Sequence, residues 1–269
     1  MNIAISNLAW PPADDDAVFA LLKERGLSRV EIAPTKYFPE IEAATPDQIR
    51  AVKARFAAAK LTVVGFQSLL FGQPDLKVFA EREVTDRTID YLGVLAKLCS
   101  DLGGQVMVFG SPKNRQVPAE MTKDDAWRAA VDFFWKAGQR CHEHGVTLVI
   151  EPNPVQYHCN FITNVEQAAR LVREVDSPGF GLHLDLGAIT LNGEDVKQVI
   201  ADSADILNHF HISEPEIKPL QPDNPNHKLA AAALRRAKYQ GVVSIEMLPP
   251  PNGLEQIGEA LDFAVATYG

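Results

Sequence analysis

The chain has 269 residues, of which 46% are hydrophobic, with a net charge of −9 and three cysteines. Because nucleic-acid binders need a basic face to neutralise phosphates, an acidic chain without a lysine- and arginine-rich run disfavours that function. An odd number of cysteines without a CxxC pair favours a reducing compartment over a disulfide framework. We find no signal peptide and no apolar run of roughly 18 residues. We therefore expect a cytoplasmic protein that binds neither nucleic acid nor membrane.

Short apolar runs alternate with helical patterns along the whole chain. The runs predict strands at 3–6, 30–33, 61–66, 105–110, 147–151, 179–185, 206–212 and 242–246. Helical patterns lie near 15–25, 46–59, 82–102, 123–144, 164–175, 194–204, 226–238 and 254–267. Two helices show clear start signals: Thr45 precedes a proline, and Thr163 with Glu166 fits a capping box.

Strands that are apolar nearly throughout and separated by helices are typical of parallel strands covered by helices. Eight strand–helix units form a (β/α)8 TIM barrel, which takes about 250 residues. We therefore predict an α/β fold with a single (β/α)8 barrel domain over residues 1–269. An open doubly wound sheet is the alternative, and the absence of a GxGxxG or GxxxxGK[ST] phosphate loop weakens it.

Four consecutive predicted strands end in a residue that can bind a metal. These residues are Glu151, Asp185, His211 and Glu246, on strands five to eight. The carboxyl ends of the strands form the active site of a TIM barrel, so we expect the four side chains to converge. Three converging carboxylates need a compensating positive charge, because buried like charges repel one another. We therefore predict one divalent metal ion on these four residues.

The donor set also indicates which ion is bound and what it would do. Three carboxylates and one imidazole favour Mn²⁺, with Mg²⁺, Co²⁺ and Zn²⁺ as the alternatives. Four protein ligands leave about two octahedral positions for a substrate hydroxyl and an adjacent carbonyl. That binding would acidify the neighbouring C–H, and we expect Glu151 or Glu246 to move the proton.

Further polar residues are candidates for supporting roles. Strand alternation places His183 and His209 on the same faces as the ligands, where they would orient them or serve as core histidines. The FGSPKNR segment (109–115) places Lys113 and Arg115 at the barrel mouth. There they would bind a phosphate or carboxylate, lie in a solvated loop, or replace the ion in a buried salt-bridge network.

Four segments resemble the xylose-isomerase-like sugar isomerase/epimerase family: IEPN (150–153), GLHLDLG (181–187), HFHISEP (209–215) and YQGVVSIEM (239–247). The nearest functional comparison is the ketose 3-epimerase type. The resemblance implies that Glu151 and Glu246 bind the metal and exchange protons on opposite faces of the substrate carbon. It further implies that Asp185 and His211 complete the metal site and that an enediolate is held on the ion. The implied function is a metal-dependent sugar epimerase or isomerase.

The family's residues for gripping the substrate are only partly present. Ala188 stands where those epimerases carry a histidine, Ile217 stands where they carry an arginine, and residues 153–160 lack their second glutamate. We therefore expect a sugar or sugar derivative to be held by a changed set of residues. Our candidates are His183, Asn153, Lys113, Arg115, Glu214, Lys218 and His227.

Other functions remain open at this point. The barrel and metal also resemble hydroxy-acid or inosose dehydratases, which would expel a hydroxyl instead of returning the proton. The endonuclease IV group shares the fold but uses three zinc ions, and none of the seven histidines here lies on strands one to four. A non-catalytic sugar-binding barrel would not need the four ligands. The sequence leaves the oligomeric state open, with a homodimer as one candidate because barrels of this size often dimerise.

Overall fold

Eight parallel strands close into a barrel in a computed structural model that describes residues 1–269. Each strand pairs with the next one in the chain, and β8 pairs back with β1. This confirms the predicted (β/α)8 barrel. The strands are β1 (Asn2–Ser6), β2 (Arg29–Ile32), β3 (Thr62–Phe66), β4 (Val106–Phe109), β5 (Thr147–Ile150), β6 (Phe180–Asp185), β7 (Leu207–Ser213) and β8 (Val242–Glu246).

Nine α-helices surround the barrel. None of them combines the length and the apolar character that a membrane span requires. The helices are α1 (Asp15–Glu24), α2 (Pro46–Ala58), α3 (Arg82–Leu102), α4 (Lys123–His142), α5 (Val165–Val175), α6 (Leu186–Asn192), α7 (Val196–Asp202), α8 (Pro225–Arg236) and α9 (Leu254–Tyr268).

Helix α6 is the element that the sequence patterns did not predict. It follows β6 directly, and the side chain of Asp185 caps its N-terminus by accepting a hydrogen bond from the N–H of Ala188. The helix has only seven residues, and two of them, Ile189 and Thr190, are β-branched. Because β-branched residues have low helix propensity, so short a helix has little periodic signal.

The predicted helix starts are correct at one position and shifted at the other. Thr45 caps α2 and forms a capping box with Gln48. Helix α5 is capped by Asn164, whose side chain accepts from the N–H of Gln167. The predicted cap at Thr163 is therefore wrong by one residue, because asparagine is an equally good cap and stands next in the chain.

A single core of 68 buried residues fills the barrel and the space between strands and helices. Phe134 of α4 is fully buried and stacks on Phe180 of β6, with ring centroids 4.9 Å apart. The edges of Phe109 and Phe133 also meet its ring, at 5.4 and 5.1 Å. The three cysteines are buried and unpaired.

The parallel direction of the strands places the candidate ligands at one rim. Asp185 ends β6, Glu246 ends β8, and Glu151 directly follows β5. In the sheet register, Asp185 lies opposite His211, and Ser213 lies opposite Glu246. The fold therefore makes neighbours of residues that are 26 to 95 positions apart in the chain.

The aromatic packing gives a test of the core. We expect Phe134→Ala to lower the free energy of unfolding by about 3–5 kcal/mol, because it leaves a cavity between α4 and the barrel. The adjacent Trp135 is 48% exposed and serves as a control. Trp135→Ala should change the free energy by about 0.5 kcal/mol or less. Equal losses in urea unfolding of the two variants would contradict this packing.

Candidate metal and active site

Three of the predicted ligands meet at the ends of β6, β7 and β8. The ligating atoms of Asp185, His211 and Glu246 lie within 4.8 Å of one another, and all three residues are buried. Nδ1 of His211 is 3.1 Å from Oε2 of Glu246 and 3.8 Å from Oδ2 of Asp185. This nitrogen has no hydrogen-bond partner, as expected of an atom that is available to a metal ion.

Glu151 joins this group through Asp185. Ligating atoms of Glu151, Asp185 and His183 also lie within 4.8 Å of one another. The side chain of Glu151 occupies the space beside Gly110, where a Cβ atom would overlap Oε2 of Glu151. Glycine at position 110 therefore makes room for the carboxylate. The structure thus brings the four predicted ligands to one end of the barrel.

Hydrogen bonds fix the orientation of Asp185. Its Oδ1 accepts from the N–H of Ala188 at 2.6 Å, and its Oδ2 accepts from the hydroxyl of Ser213 at 2.5 Å. Each oxygen keeps a further lone pair, since a carboxylate oxygen can accept more than one bond. Asp185 can therefore cap α6 and bind an ion at the same time.

The cavity at the site has carboxylates in its lining but no lysine or arginine. Its volume is about 510 Å³, and it opens onto the candidate ligands. The five carboxylates that line it belong to Glu151, Asp185, Glu214, Glu216 and Glu246. A divalent cation fits this donor set, because it would offset their negative charge and it prefers oxygen ligands.

The pKa values of the candidate ligands reflect the same concentration of carboxylates. Desolvation and the charges of Glu246 and Asp185 raise the pKa of Glu151 to about 8. Burial and the charge of Glu246 raise the pKa of Asp185 to about 6. Burial alone would lower the pKa of His211, but the charges of Glu246 and Glu31 hold it well above its usual range. An ion that binds here would therefore have to displace protons from these groups.

A second polar layer lies under the candidate ligands. Glu31 of β2 is fully buried, with its carboxylate oxygens 3.0 Å from Nε2 of His211 and 3.2 Å from Nε2 of His209. Burial would raise the pKa of Glu31, but the charges of His211 and His209 hold it well below its usual range. Burial and the same two histidines lower the pKa of His183, whose ring nitrogens have no partner.

Glu31 is a residue of the site that the strand-end pattern does not predict. The available signal was a carboxylate inside a short predicted strand whose other residues are largely apolar. Because a charged side chain is rarely fully buried without a partner, such a residue indicates a polar interior layer.

Some predicted substrate-binding residues line the cavity or its wall. Asn153 and Glu214 lie in the lining. Arg115 is fully buried behind Asn153 and donates to its Oδ1 at 2.9 Å. Its other donors reach main-chain oxygens of Phe109, Gly110, Glu151, Phe161 and Ile162. Arg115 therefore holds loops together and makes no hydrogen bond to a carboxylate, and its charge offsets only part of the rise in the pKa of Glu151.

The structure does not bring the remaining candidates into the cavity. Lys113 is exposed, and Lys218 is exposed and pairs with Glu216 at 2.7 Å. His227 is buried in α8, with Nε2 2.9 Å from Glu214 and Nδ1 3.0 Å from the hydroxyl of Tyr268. The cavity is lined instead by polar residues that the sequence analysis did not assign to the substrate: Gln67, Ser68, Ser111 and Tyr157.

Comparison with known proteins agrees with this architecture. Residues 19–266 match the family model of the xylose isomerase-like TIM barrel. A ketose 3-epimerase of Arthrobacter globiformis is 26% identical over 169 residues, which cover 63% of this chain and 56% of that protein. The match thus spans little more than half the length of that relative.

Two solved structures have the same fold over nearly the whole chain. A D-psicose 3-epimerase of Clostridium cellulolyticum H10, determined with D-tagatose, has a TM-score of 0.82 at 17% identity. The alignment covers 100% of this chain and 99% of that one. A 3-keto-D-glucoside 4-epimerase of E. coli has a TM-score of 0.79 at 20% identity and covers 99% of both chains.

The raised pKa values predict how pH changes the effect of a metal ion. The pKa values of Glu151 and Asp185, about 8 and about 6, exceed the ordinary 4.5 and 3.8. Between the ordinary and the raised pKa values, the folded protein without an ion therefore binds more protons than the unfolded chain. In that pH range the two groups lower the free energy of unfolding as the pH rises. An ion that replaces these protons should raise the Tm more at about pH 8 than at about pH 6.

Differential scanning calorimetry with and without saturating Mn²⁺ checks this expectation. Mg²⁺ is the control against oxidation of the metal at the higher pH. A rise in Tm that is equal at both pH values, or larger at the lower one, would contradict the competition between protons and metal.

Proposed function

Because the chain belongs to the xylose isomerase-like TIM barrel family, we propose that it is a divalent-metal-dependent epimerase or isomerase of a sugar or sugar derivative. One observation supports this most strongly: Glu151 and Glu246 lie in two groups of candidate ligands that share Asp185, and the charge of Glu246 acts on Glu151. Two carboxylates beside one ion could remove and return a proton.

The proposed roles divide the four ligands into two pairs. Asp185 and His211 would hold the ion, and Glu151 and Glu246 would hold it while also transferring protons. When bound, a divalent ion supplies Lewis-acid polarisation of a substrate carbonyl. One glutamate would remove the proton from the carbon next to that carbonyl, and the other would return a proton from the opposite face. Removal and return on opposite faces inverts the carbon, which is an epimerisation.

The cavity supports a small polyhydroxylated substrate. Its volume of about 510 Å³ lies within the roughly 300–1,000 Å³ that is usual for small-molecule sites. Side-chain amides and hydroxyls of Gln67, Ser68, Ser111, Asn153 and Tyr157 line it and can bind sugar hydroxyls. We assign Asn153 to substrate binding on this basis, and Glu214 because its carboxylate lines the same cavity.

Mn²⁺ remains our first choice of ion, with Mg²⁺, Co²⁺ and Zn²⁺ as alternatives, because the donor set is rich in carboxylates. A cytoplasmic location and a homodimer remain part of the proposal. Epimerases of the same fold have been crystallised with D-tagatose, D-fructose and D-allulose, so these three ketoses are suitable first substrates.

Substitution of Glu246 tests the proton-transfer role. We expect Glu246→Gln to reduce the incorporation of solvent deuterium into the substrate by at least about 100-fold, because the amide cannot act as an acid or base. The Mn²⁺-loaded enzyme is incubated with the substrate in deuterated water. The metal is then removed, and the exchange is measured by proton NMR. Glu255→Gln, on the exposed first turn of α9, is the control and should exchange like the wild type.

Full exchange in Glu246→Gln would contradict the assigned role. Mass spectrometry of the same reactions separates this proposal from a dehydratase. An epimerase or isomerase leaves the substrate mass unchanged, whereas a dehydratase releases one water molecule.

A further inference from the structure

We infer that Glu31 is a positioning residue for the metal site, which holds His211 with a proton on Nε2 and leaves Nδ1 free for the ion. This inference rests on the proposed function, because it assumes that His211 binds a metal. Glu31 lies on β2, a strand that carries no candidate ligand.

The geometry around Glu31 fixes the direction of its hydrogen bonds. Oε2 is 3.0 Å from Nε2 of His211, and Oε1 is 3.2 Å from Nε2 of His209. All three side chains are fully or almost fully buried, so water does not compete for these contacts. An ionised carboxylate can only accept hydrogen bonds. His211 must therefore direct its Nε2–H at Oε2 of Glu31. His209 approaches Oε1 as a close contact without a hydrogen bond.

This arrangement determines the chemistry at the other end of the His211 ring. The raised pKa of His211 favours a ring protonated on both nitrogens in the absence of an ion, and a bound ion would displace the proton on Nδ1. With the remaining proton on Nε2, the neutral imidazole has its lone pair on Nδ1. That nitrogen faces Glu246 and Asp185 and has no hydrogen-bond partner. The opposite tautomer would place two lone pairs against each other at Glu31 and a proton where the ion should bind. Glu31 therefore selects the tautomer that can bind a metal.

The negative charge of Glu31 adds to this effect. A carboxylate that accepts from the N–H of a metal-binding imidazole makes that imidazole a more basic ligand, and loss of such a partner costs about 10- to 100-fold in metal affinity. Glu31 contacts both His211 and His209. Because only His211 is a candidate ligand, the effect of Glu31 on the ion passes through His211. His209 provides a matched comparison within the same buried layer.

The test compares metal affinity in three variants. Glu31→Gln keeps the shape of the side chain, and Glu31→Leu removes both acceptors. We expect the Kd for Mn²⁺, measured from the EPR signal of the free ion, to rise about 10- to 100-fold in these variants, more in the leucine variant. His209→Gln disturbs the same layer but leaves the contact between Glu31 and His211, so its Kd should stay at the wild-type value.

Two further readouts separate positioning from simple loss of stability. Urea unfolding shows whether each variant is folded at the temperature of the affinity measurement. In the Mg²⁺-loaded wild type, NMR of ¹⁵N-labelled histidine should show His211 with a slowly exchanging proton on Nε2. This protected proton should be lost in Glu31→Leu and retained in His209→Gln.

The outcomes distinguish this inference from the proposed function. Wild-type Mn²⁺ affinity in both folded Glu31 variants would overturn the inference and leave the metal site intact. An equal loss of affinity in His209→Gln would also overturn it, because the layer would then act only through general packing. A wild-type protein that binds no divalent ion would overturn the proposed function and this inference together.

Discussion

Repulsion among buried carboxylates is the interaction on which the rest of this site depends. Glu151, Asp185 and Glu246 face one imidazole at the barrel rim, and no lysine or arginine lines the cavity above them. Burial and this repulsion raise the pKa values of Glu151 and Asp185. A divalent ion would reduce the repulsion while leaving both glutamates ionised. The charges that repel one another would therefore make the site selective for a doubly charged ligand.

The barrel supplies supports that hold these charges in place. Gly110 makes room for Glu151, and the amide of Ala188 and the hydroxyl of Ser213 orient Asp185. Arg115 ties the loops behind the site together through main-chain oxygens. Preorganisation of this kind matters because a ligand or catalytic group that is displaced by even 1 Å loses much of its effect.

The sequence predicted the barrel and the four candidate ligands because both leave regular signals. Apolar strands alternate with helices, and the strand ends of a parallel barrel share one rim, so Glu151, Asp185, His211 and Glu246 follow from counting strands. Features that depend on packing were not predictable in the same way. Helix α6 is too short to show a period, and the partners of Glu31 lie on β7, about 180 residues away. Arg115 and Lys113 are neighbours in the loop, yet one is buried and the other exposed.

We propose that a divalent cation lies between three carboxylates and one imidazole. Anomalous diffraction from a crystal grown with Mn²⁺, recorded near the manganese absorption edge, would locate this ion. We expect one strong peak at the carboxyl ends of the strands, within bonding distance of Glu151, Asp185, His211 and Glu246. No peak at this position, with the four side chains turned toward lysines, arginines or water, would show that these residues do not form a metal site.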